Sequence, residues 1–193
     1  MKTIIKSAAE AVCFAVILPL YLLYLCHKPL GLEERFFPDV SQFLSLLPGL
    51  PGSYLRKAFY RLAMTRCAGD CLILFGTIFA QRDIEIGRGV YVGAHCNIGT
   101  CRLEDHCTLG SNVNVLSGRH QHSFDDLDTP VQHQGGRLEK ITIGQDTWIG
   151  NGSIIMANIG RKCIVGAGSV VTRDVEDFSV VAGNPAKLIR KRV

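Results

Sequence analysis

The chain of 193 residues lacks any pair of cysteines separated by two residues, although it contains eight cysteines. Structural zinc sites commonly take thiolates from such pairs, so the spacing disfavours a zinc site, and no metal is expected. Reduced thiols in a cytoplasmic protein are favoured over disulfides, because a repeat described below explains three cysteines as small core residues. The chain also lacks a strong net charge. Its charge of +4 at pH 7 is too weak to indicate a nucleic-acid partner.

An uninterrupted apolar run at residues 11–26 is short for a simple membrane span. It has 16 residues, whereas a helix needs about 20 to cross the hydrocarbon core of a bilayer. Pro19 lies inside the run and predicts a kink or a break in a helix. No small-x-small cleavage site follows the run, which disfavours a cleaved signal peptide. A buried helix of a soluble domain is the alternative to a segment that contacts lipid.

The sequence after this run favours contact with a membrane. Between residues 41 and 64, apolar side chains recur at helical spacing, and Arg56, Lys57 and Arg61 stand between them. This pattern is typical of a helix that lies on anionic lipid.

Residues 1–65 are therefore predicted to form an apolar and amphipathic helical segment that contacts membrane lipid through residues 11–62. The sequence PGLPG at 48–52 predicts a turn between its two apolar pieces. Whether the first piece crosses the bilayer or bends back within it is left open.

From Ile86 onward the sequence repeats with a period of about six residues. An aliphatic residue opens each unit, glycine usually follows it, and a small or β-branched residue stands four positions after it. The aliphatic positions are Ile86, Val92, Ile98, Leu103, Leu109, Val115, Ile143, Ile149, Ile155, Ile159, Val165 and Val171. Such a hexapeptide repeat indicates a solenoid in which each coil contacts only its neighbours.

Each unit is expected to form a short strand and a corner, with the aliphatic side chain stacked inside the coil. The small residues, among them Cys96, Cys107 and Cys163, are expected to face inward as well. The glycines are expected to supply the unusual backbone angles of a tight corner. Leu74 and Ala80 would extend the series toward the N-terminus.

Three further motifs make the repeat specific. They are DTWIGNGS at 146–153, GAGSVVTRDV at 166–175 and VAGNPAKLIR at 181–190. Together with the repeat, they resemble the left-handed parallel β-helix acyltransferases over about residues 70–193. The nearest likeness is to the galactoside, maltose and xenobiotic acetyltransferases and to the polysaccharide-modifying members.

The resemblance implies a mainly β fold, a left-handed parallel β-helix over residues 70–182 that follows the helical segment. It also implies a homotrimer and acetyl-CoA as acyl donor. Residues 183–193 are predicted to form a basic C-terminal tail.

A polar excursion at residues 117–140 interrupts the repeat. Long loops in compact folds are usually functional or disordered, and rigid repeats on both sides favour function. Histidine is the side chain best suited to accept a proton near neutral pH. The resemblance implies that His120 is the general base that deprotonates the acceptor during direct transfer. His122 is the second candidate, and His133 is interpreted as a solvated loop residue.

The resemblance also implies a set of cofactor contacts. The backbone N–H of Asn151 would face the thioester carbonyl, Trp148 would lie near the pantetheine arm, and the remaining contacts would follow the pantetheine and the phosphates. These remaining residues are Ala167, Thr172, Arg173, Lys187 and Arg190. The four-residue step from Ile155 to Ile159 departs from the pattern and weakens the expectation for the coil around it. His95 or Asn97 is a candidate for acceptor contact, although His95 and His106 are better explained as corner residues.

These observations predict a CoA-dependent O-acetyltransferase that acts on a hydroxyl of a sugar or lipid-linked glycan. CoA is cytoplasmic, so the protein is expected at the cytoplasmic face of the plasma membrane. One alternative is a zinc hydro-lyase like the γ-type carbonic anhydrases, which would draw its ligands from His95, His106, His120 and His122. Two others are a xenobiotic acetyltransferase and a non-catalytic scaffold.

Overall fold

A computed structural model of the chain describes the backbone of residues 2–193 and the side chains from Ser7 onward. Three α-helices come first, α1 (Lys2–Cys26), α2 (Glu33–Ser45) and α3 (Gly49–Ala63), with a short 3-10 turn at Lys28–Leu30. Short strands then wind into three sheets that form the sides of a triangular coil. A second 3-10 turn, Val131–His133, lies in the predicted loop.

The strands of each sheet come from successive coils. Sheet A contains β1 (Arg66–Cys67), β4 (Glu85–Ile86), β7 (Cys101–Leu103) and β10 (Ile141–Ile143). Sheet B contains β2 (Leu72–Ile73), β5 (Tyr91–Val92), β8 (Thr108–Leu109), β11 (Trp148–Ile149), β13 (Ile164–Val165), β15 (Ser179–Gly183) and β16 (Ala186–Lys191). Sheet C contains β3 (Ile78–Phe79), β6 (Asn97–Ile98), β9 (Asn114–Val115), β12 (Ile154–Ile155) and β14 (Val170–Val171).

The predicted repeat is confirmed by the core of the solenoid. Every predicted aliphatic position from Ile86 to Val171 is at most 2% exposed. Equivalent residues stack from coil to coil, as in the parallel series Val92, Leu109 and Ile149. The small side chains at the fourth position are also buried, and the three repeat cysteines are among them.

The extension of the repeat to Leu74 and Ala80 is wrong by one residue. The inward positions of the first coil are Ile73 and Phe79, which are 0% and 1% exposed. Ile73 pairs with Val92, and Phe79 pairs with Ile98. The step from Phe79 to Ile86 takes seven residues instead of six, which explains the shift.

The role predicted for the repeat glycines is also wrong in its physical cause. Gly93 does not have a positive φ, whereas His95, two residues later, has φ 59° and forms the left-handed corner. A Cβ on Gly93 would lie 2.5 Å from the carbonyl carbon of Gly110 in the next coil. Glycine is therefore needed here because neighbouring coils approach closely.

The three helices form a layer, called here the helical layer, that covers the first coil of the solenoid. Phe37, Phe59 and Tyr60 are fully buried in it. The Tyr60 ring meets Phe79 of the first coil edge-on, with ring centroids 4.8 Å apart. The helical layer thus closes the apolar end of the solenoid.

A break at Pro19, one of the two outcomes predicted there, and the predicted turn at 48–52 are not observed. Helix α1 continues through Pro19, because side chains on both sides of it, Ile17 and Tyr24, are buried, and their packing offsets one lost hydrogen bond. Of the predicted turn at 48–52, only Pro48 lies outside a helix. Pro51 is tolerated in α3 because the N–H groups of a first helical turn need no helical partner.

The interpretation of Arg56 and Lys57 as lipid-facing cations is wrong as well. Arg56 is 0% exposed, and its guanidinium donates hydrogen bonds to the carbonyls of Leu44, Leu47 and Ile73. The carbonyls of Leu44 and Leu47 lie where α2 ends, so Arg56 caps α2 and ties it to β2. The Lys57 ammonium lies 3.1 Å from a carboxylate oxygen of Glu10 in α1.

The predicted boundaries also shift at both ends of the solenoid. The first strand begins at Arg66, before the predicted start at residue 70. The predicted basic tail contains β16, which pairs antiparallel with β15. The ammonium of Lys191 lies 2.9 Å from a carboxylate oxygen of Glu176. Residues 186–191 are therefore an ordered strand rather than a solvated tail.

Candidate active site

The predicted site residues lie on two corners and one sheet of the triangular coil. The corner between sheets C and A, called here the C–A corner, carries the loop 117–140 as well as Thr172 and Arg173. The corner between sheets B and C, called here the B–C corner, carries Asn151 and Ala167. The outer face of sheet B carries Trp148, Lys187 and Arg190.

The two ends of the loop pair with each other at the C–A corner. The Glu139 N–H donates to the Ser117 carbonyl at 2.9 Å, and the Arg137 N–H donates to the His120 carbonyl at 2.7 Å. Between them, Gly118 has φ +82°, and a Cβ there would lie 2.7 Å from the Glu139 side chain. The sequence SGRH therefore places His120 beside Glu139.

His120 and Glu139 form a hydrogen-bonded pair. Nδ1 of His120 lies 3.3 Å from Oε1 of Glu139, and Nη2 of Arg137 lies 2.7 Å from the same oxygen. Desolvation raises the pKa of Glu139, but the hydrogen bond from His120 and the charge of Arg137 outweigh it, so the pKa lies below its ordinary value. An ionised Glu139 holds the proton of His120 on Nδ1 and leaves Nε2 as the acceptor. Glu139 was not predicted from the sequence.

A second contact ties the loop to a later coil. The Arg119 guanidinium donates to the Thr172 carbonyl at 3.1 Å. Thr172 follows β14, which is two strands from β9 in sheet C, so Arg119 spans roughly 10 Å along the C–A corner. His120, Thr172 and Arg173 thus share one edge of the solenoid, as predicted for one site. His122 and His133 are both exposed in the same loop.

The B–C corner holds the predicted oxyanion group. Oδ1 of Asn151 accepts a hydrogen bond from the Ser111 N–H at 3.1 Å, and its carbonyl accepts one from the Gly168 N–H at 2.8 Å. Among the hydrogen bonds of the described chain, none begins at the N–H of Asn151 or of Ala167. These N–H groups are therefore free to bind an oxygen of a ligand.

On sheet B, Trp148 and Arg190 lie in one column of paired residues. Trp148 pairs with Ile164, Ile164 pairs with Val180, and Val180 pairs with Arg190. Three strand spacings separate Trp148 from Arg190, roughly 14 Å. Trp148 is 51% exposed, and Lys187 and Arg190 are exposed. The shortened coil leaves sheet B intact, because Trp148 and Ile149 of β11 still pair in register with Ile164 and Val165 of β13.

Within one chain, the two corners do not meet. Sheet C separates the C–A corner, with His120, from the B–C corner, with Asn151, by one side of the triangle. This side is about five residues long, roughly 15 Å. A single chain therefore presents two halves of the predicted site on different edges.

Two further histidines lie at corners of the solenoid. His95 lies at the B–C corner and His106 at the corner between sheets A and B, with φ values of 59° and 63°. Their interpretation as corner residues is confirmed. In the part of the chain that is described, no three His, Cys, Asp or Glu residues are placed to bind a metal ion.

A cavity on sheet A lies away from the predicted residues. It has a volume of about 500 Å³ and is lined by charged side chains, including Glu85, Arg102 and Asp105. Arg102 pairs with Glu85 at 3.0 Å, and Asp105 pairs with Arg88 at 2.9 Å. These charges already satisfy one another.

Comparison with known proteins identifies the repeat. The family model described as the hexapeptide repeat of succinyl-transferase matches residues 140–173. A crystal structure of a maltose O-acetyltransferase from Clostridium difficile 630 superposes with a TM-score of 0.73, covering 84% of this chain and 88% of that one at 23% identity. The resemblance to the hexapeptide-repeat acetyltransferases is confirmed. So is the expected fold, a left-handed parallel β-helix that follows N-terminal helices.

This superposition also corrects the extent of the resemblance. The solenoid from residue 66 onward contains 128 of the 193 residues, about two thirds of the chain. A match over 84% of the chain therefore includes part of the helical layer. The likeness in fold therefore begins before residue 70, where the resemblance in sequence was placed.

The curated relatives are named acetyltransferases. A probable acetyltransferase of Mycobacterium tuberculosis is 28% identical over 170 residues, which cover 69% of this chain and 56% of the relative. A chloramphenicol acetyltransferase of Klebsiella aerogenes is 48% identical over 102 residues, covering 45% and 49%. The chain thus spans about half the length of the curated relatives it matches.

The fold recurs in a protein solved with coenzyme A. A mutant of the N-acyltransferase AntD from Bacillus cereus, in complex with dTDP and coenzyme A, superposes with a TM-score of 0.56 at 21% identity. The superposition covers 64% of this chain and 71% of that chain.

Proposed function

We propose that the chain is an acetyl-CoA-dependent O-acetyltransferase with His120 as the general base. The observation that carries the proposal is the pairing of His120 with Glu139 at the C–A corner, 3.3 Å apart. This pairing fixes the imidazole with Nε2 free to accept a proton. The named activities of the relatives support the reaction class.

The acetyl group is transferred directly from CoA to the acceptor through one tetrahedral intermediate. Nε2 of His120 takes the proton of the acceptor hydroxyl while its oxygen attacks the acetyl carbonyl carbon. The carbonyl oxygen becomes negative and is stabilised by the free N–H of an Asn151. The carbon–sulfur bond then breaks, and the imidazolium returns its proton to the departing CoA sulfur.

The separation of the two corners supports a site between two chains of a homotrimer. His120, Thr172 and Arg173 of one chain would face Asn151 and Ala167 of the partner subunit. Acetyl-CoA would then lie along sheet B of the partner, with its phosphates near the exposed cations Lys187 and Arg190. Closed cyclic trimers place such heterologous surfaces against each other.

We further propose that the acceptor is a sugar or a lipid-linked glycan at the cytoplasmic face of the plasma membrane. The helical layer supports this location, because Ser7–Leu30 has a mean hydropathy of 2.1 and is long enough to contact or cross a bilayer. A membrane-bound acceptor would then reach the C–A corner from the lipid surface.

A drug is the second candidate acceptor, and one observation favours it. The identity to a chloramphenicol acetyltransferase reaches 48% over 102 residues. The two acceptors are separated by steady-state transfer assays with chloramphenicol and with lipid-linked sugars as competing substrates. A higher kcat/KM for chloramphenicol would replace the glycan proposal and leave the role of His120 in place.

Subunit complementation tests the shared site. His120→Ala removes the base of one half, and Ala167→Trp fills the cofactor wall of the other half. In trimers reassembled from equal amounts of the two inactive chains, one site in four receives both intact halves. We expect about a quarter of wild-type activity if the site lies between chains. Absence of recovered activity in mixed trimers, verified by mass spectrometry, would show that both halves act within one chain.

A metal and cofactor measurement tests the reaction class itself. Calorimetric titration with CoA is expected to give one site per chain, weakened by Lys187→Ala combined with Arg190→Ala. Zinc at about one atom per chain without CoA binding would instead support the hydro-lyase alternative.

A further inference from the structure

We infer that α1 lies in the plane of the membrane surface and does not cross the bilayer, so that the outer face of the helical layer is the lipid-binding surface. The inference rests on the membrane location in the proposed function and specifies how the contact is made. It depends on which faces of α1 are already occupied by the protein.

The inner face of α1 is packed against α3 between Glu10 and Tyr24. Ile17 and Tyr24 are 3% and 4% exposed. The rings of Tyr21 and Tyr24 meet Phe59 edge-on, with centroids 6.5 Å and 5.7 Å apart. The hydroxyl of Tyr21 also donates to the Leu62 carbonyl at 3.2 Å. An aromatic interface and a hydrogen bond therefore fasten the C-terminal half of α1 to α3.

Helix α3 is in turn fixed to the solenoid. Ser53 and Arg56 both donate hydrogen bonds to the Ile73 carbonyl in β2. Lys57 bonds to the Gly69 carbonyl at 2.7 Å while it pairs with Glu10 of α1. A bilayer-spanning α1 would have to separate from this interface or draw a charged solenoid end into the hydrocarbon, which is costly.

The outer face of the helical layer is apolar and exposed. On α1, Val12, Val16, Leu22 and Leu23 are between 51% and 63% exposed. A groove of about 290 Å³ joins α1 to α2 and is lined by Leu20, Phe36, Asp39, Val40 and Phe43. The apolar surface therefore continues from α1 across α2. Its extent exceeds the isolated apolar residues that a water-facing surface carries.

The charges around this face fit anionic lipid. Of the four acidic side chains in the described part of the helices, Glu10 pairs with Lys57 and Glu34 pairs with Arg82. The ion pairs of the described residues do not include Glu33 or Asp39, and Asp39 lies at the groove. Lys28 is exposed just after α1, and the sequence places Lys2 and Lys6 at its other end. Cations at both ends of an apolar helical face are typical of helices that lie in the headgroup region.

Depth measurements distinguish an in-plane helix from a spanning one. In a Trp148→Phe background, single tryptophans replace Val12, Val16 or Leu23, and vesicles of phosphatidylcholine and phosphatidylglycerol (7:3) carry bromine at defined depths. An in-plane α1 places all three indoles at one shallow depth, about 5–10 Å below the headgroup boundary. A spanning α1 would give depths that differ by about 16 Å between positions 12 and 23, at 1.5 Å per residue. That gradient would overturn the inference.

Charge substitutions test the same face in the intact chain. Val16→Glu combined with Leu23→Glu is expected to weaken vesicle binding at least tenfold and to leave CoA binding unchanged. The matched control is Leu127→Glu, because Leu127 is a 95% exposed apolar side chain of the loop, and it should bind vesicles like the wild type. Retained vesicle binding by the double variant would contradict the inference. A wild type that binds no vesicles, together with a double variant that dissociates in sedimentation, would show that a second copy of the chain covers this face. The inference would then be wrong. CoA binding reports on the transferase proposal separately in each case.

Discussion

The B–C and C–A corners of the same solenoid differ in how strictly their length is kept. Every step across the B–C corner takes six residues, as from Val92 to Ile98 and from Ile149 to Ile155. Steps across the C–A corner vary from four residues, between Ile155 and Ile159, to 28 between Val115 and Ile143.

This difference shows where a repetitive fold can acquire chemistry. At the B–C corner, Gly93, Gly110 and Gly150 each lie against the backbone of the next coil, so an added residue would disrupt the stacking of several coils. The C–A corner projects away from the stack, and its length changes without altering the core. The C–A corner, called here the tolerant corner, carries the predicted base. The B–C corner, called here the strict corner, carries the predicted oxyanion group. The predicted base and the predicted oxyanion group are thus carried by different edges of the solenoid.

The largest expected effect is on activity, from a change at the tolerant corner. His120→Ala should lower kcat by about 10²- to 10⁴-fold, because it removes the general base. The midpoint of thermal unfolding should stay close to that of the wild type, since the side chain is half exposed. Circular dichroism and a transfer assay on the same preparation measure both quantities.

His133→Ala is the matched control, because His133 is another exposed histidine of the same loop. It should retain wild-type activity. A loss in His122→Ala with retained activity in His120→Ala would assign the base to His122 instead.

At the strict corner, the main expected effect is on stability. Gly93→Ala places a Cβ 2.5 Å from the backbone of Gly110, and the resulting shift of a coil should cost about 1–3 kcal/mol of unfolding free energy. The matched control is Gly135→Ala in the loop, where φ is +79° and no atom lies within 4 Å of the new Cβ. Its cost should be limited to the strained φ, about 1 kcal/mol. Urea unfolding of both variants makes the comparison, and equal losses would show that coil approach does not limit this corner.

The sequence alone predicts the strict part of the molecule well. Periodic aliphatic residues such as Val92 and Leu109 can be assigned to the core, because their position in the repeat fixes their side chains toward the inside of the coil. Arg56 could not be placed in the same way. A basic residue between apolar neighbours has the same helical pattern whether it faces lipid or caps a buried helix end, and only tertiary contacts distinguish the two.

The tolerant part is predictable only in outline. The loop and His120 stand out because the period stops there. Glu139 lies 19 residues later in the sequence, and its contact with His120 depends on the pairing of the two loop ends. Its position two residues before β10 begins at Ile141, where the loop must return to the solenoid, was the available signal.

A smaller effect on activity is expected from Glu139→Gln. The amide still accepts a hydrogen bond from Nδ1 but no longer stabilises the imidazolium, so kcat should fall about tenfold with little change in KM. The carboxylate of Glu139 has a lowered pKa, so the wild type should retain its pairing below the ordinary range for glutamate. The pH profile of kcat should therefore shift in the variant. If Glu139→Gln changes the stability but not the pH profile of kcat, then Glu139 has only a structural role.

The smallest expected effect concerns the point at which the loop rejoins the solenoid. The ammonium of Lys140 lies 2.8 Å from Oε1 of Glu85 and 2.7 Å from Oδ1 of Asp83 on sheet A. The hydrogen bond from Arg102, followed by that from Lys140, lowers the pKa of Glu85 to about 2.

Because the folded pKa lies below the unfolded one, the ion pairs of Glu85 contribute stability above the ordinary glutamate pKa, about 4.3. This contribution is lost as the pH falls toward 2. Glu85→Gln should thus be slightly less stable than the wild type at pH 7, by less than about 1 kcal/mol, as is usual for partly exposed pairs. The difference should vanish near pH 2. Urea unfolding at both pH values provides the measurement, and a difference that persists at the lower pH would mean that packing, and not charge, fastens this end of the loop.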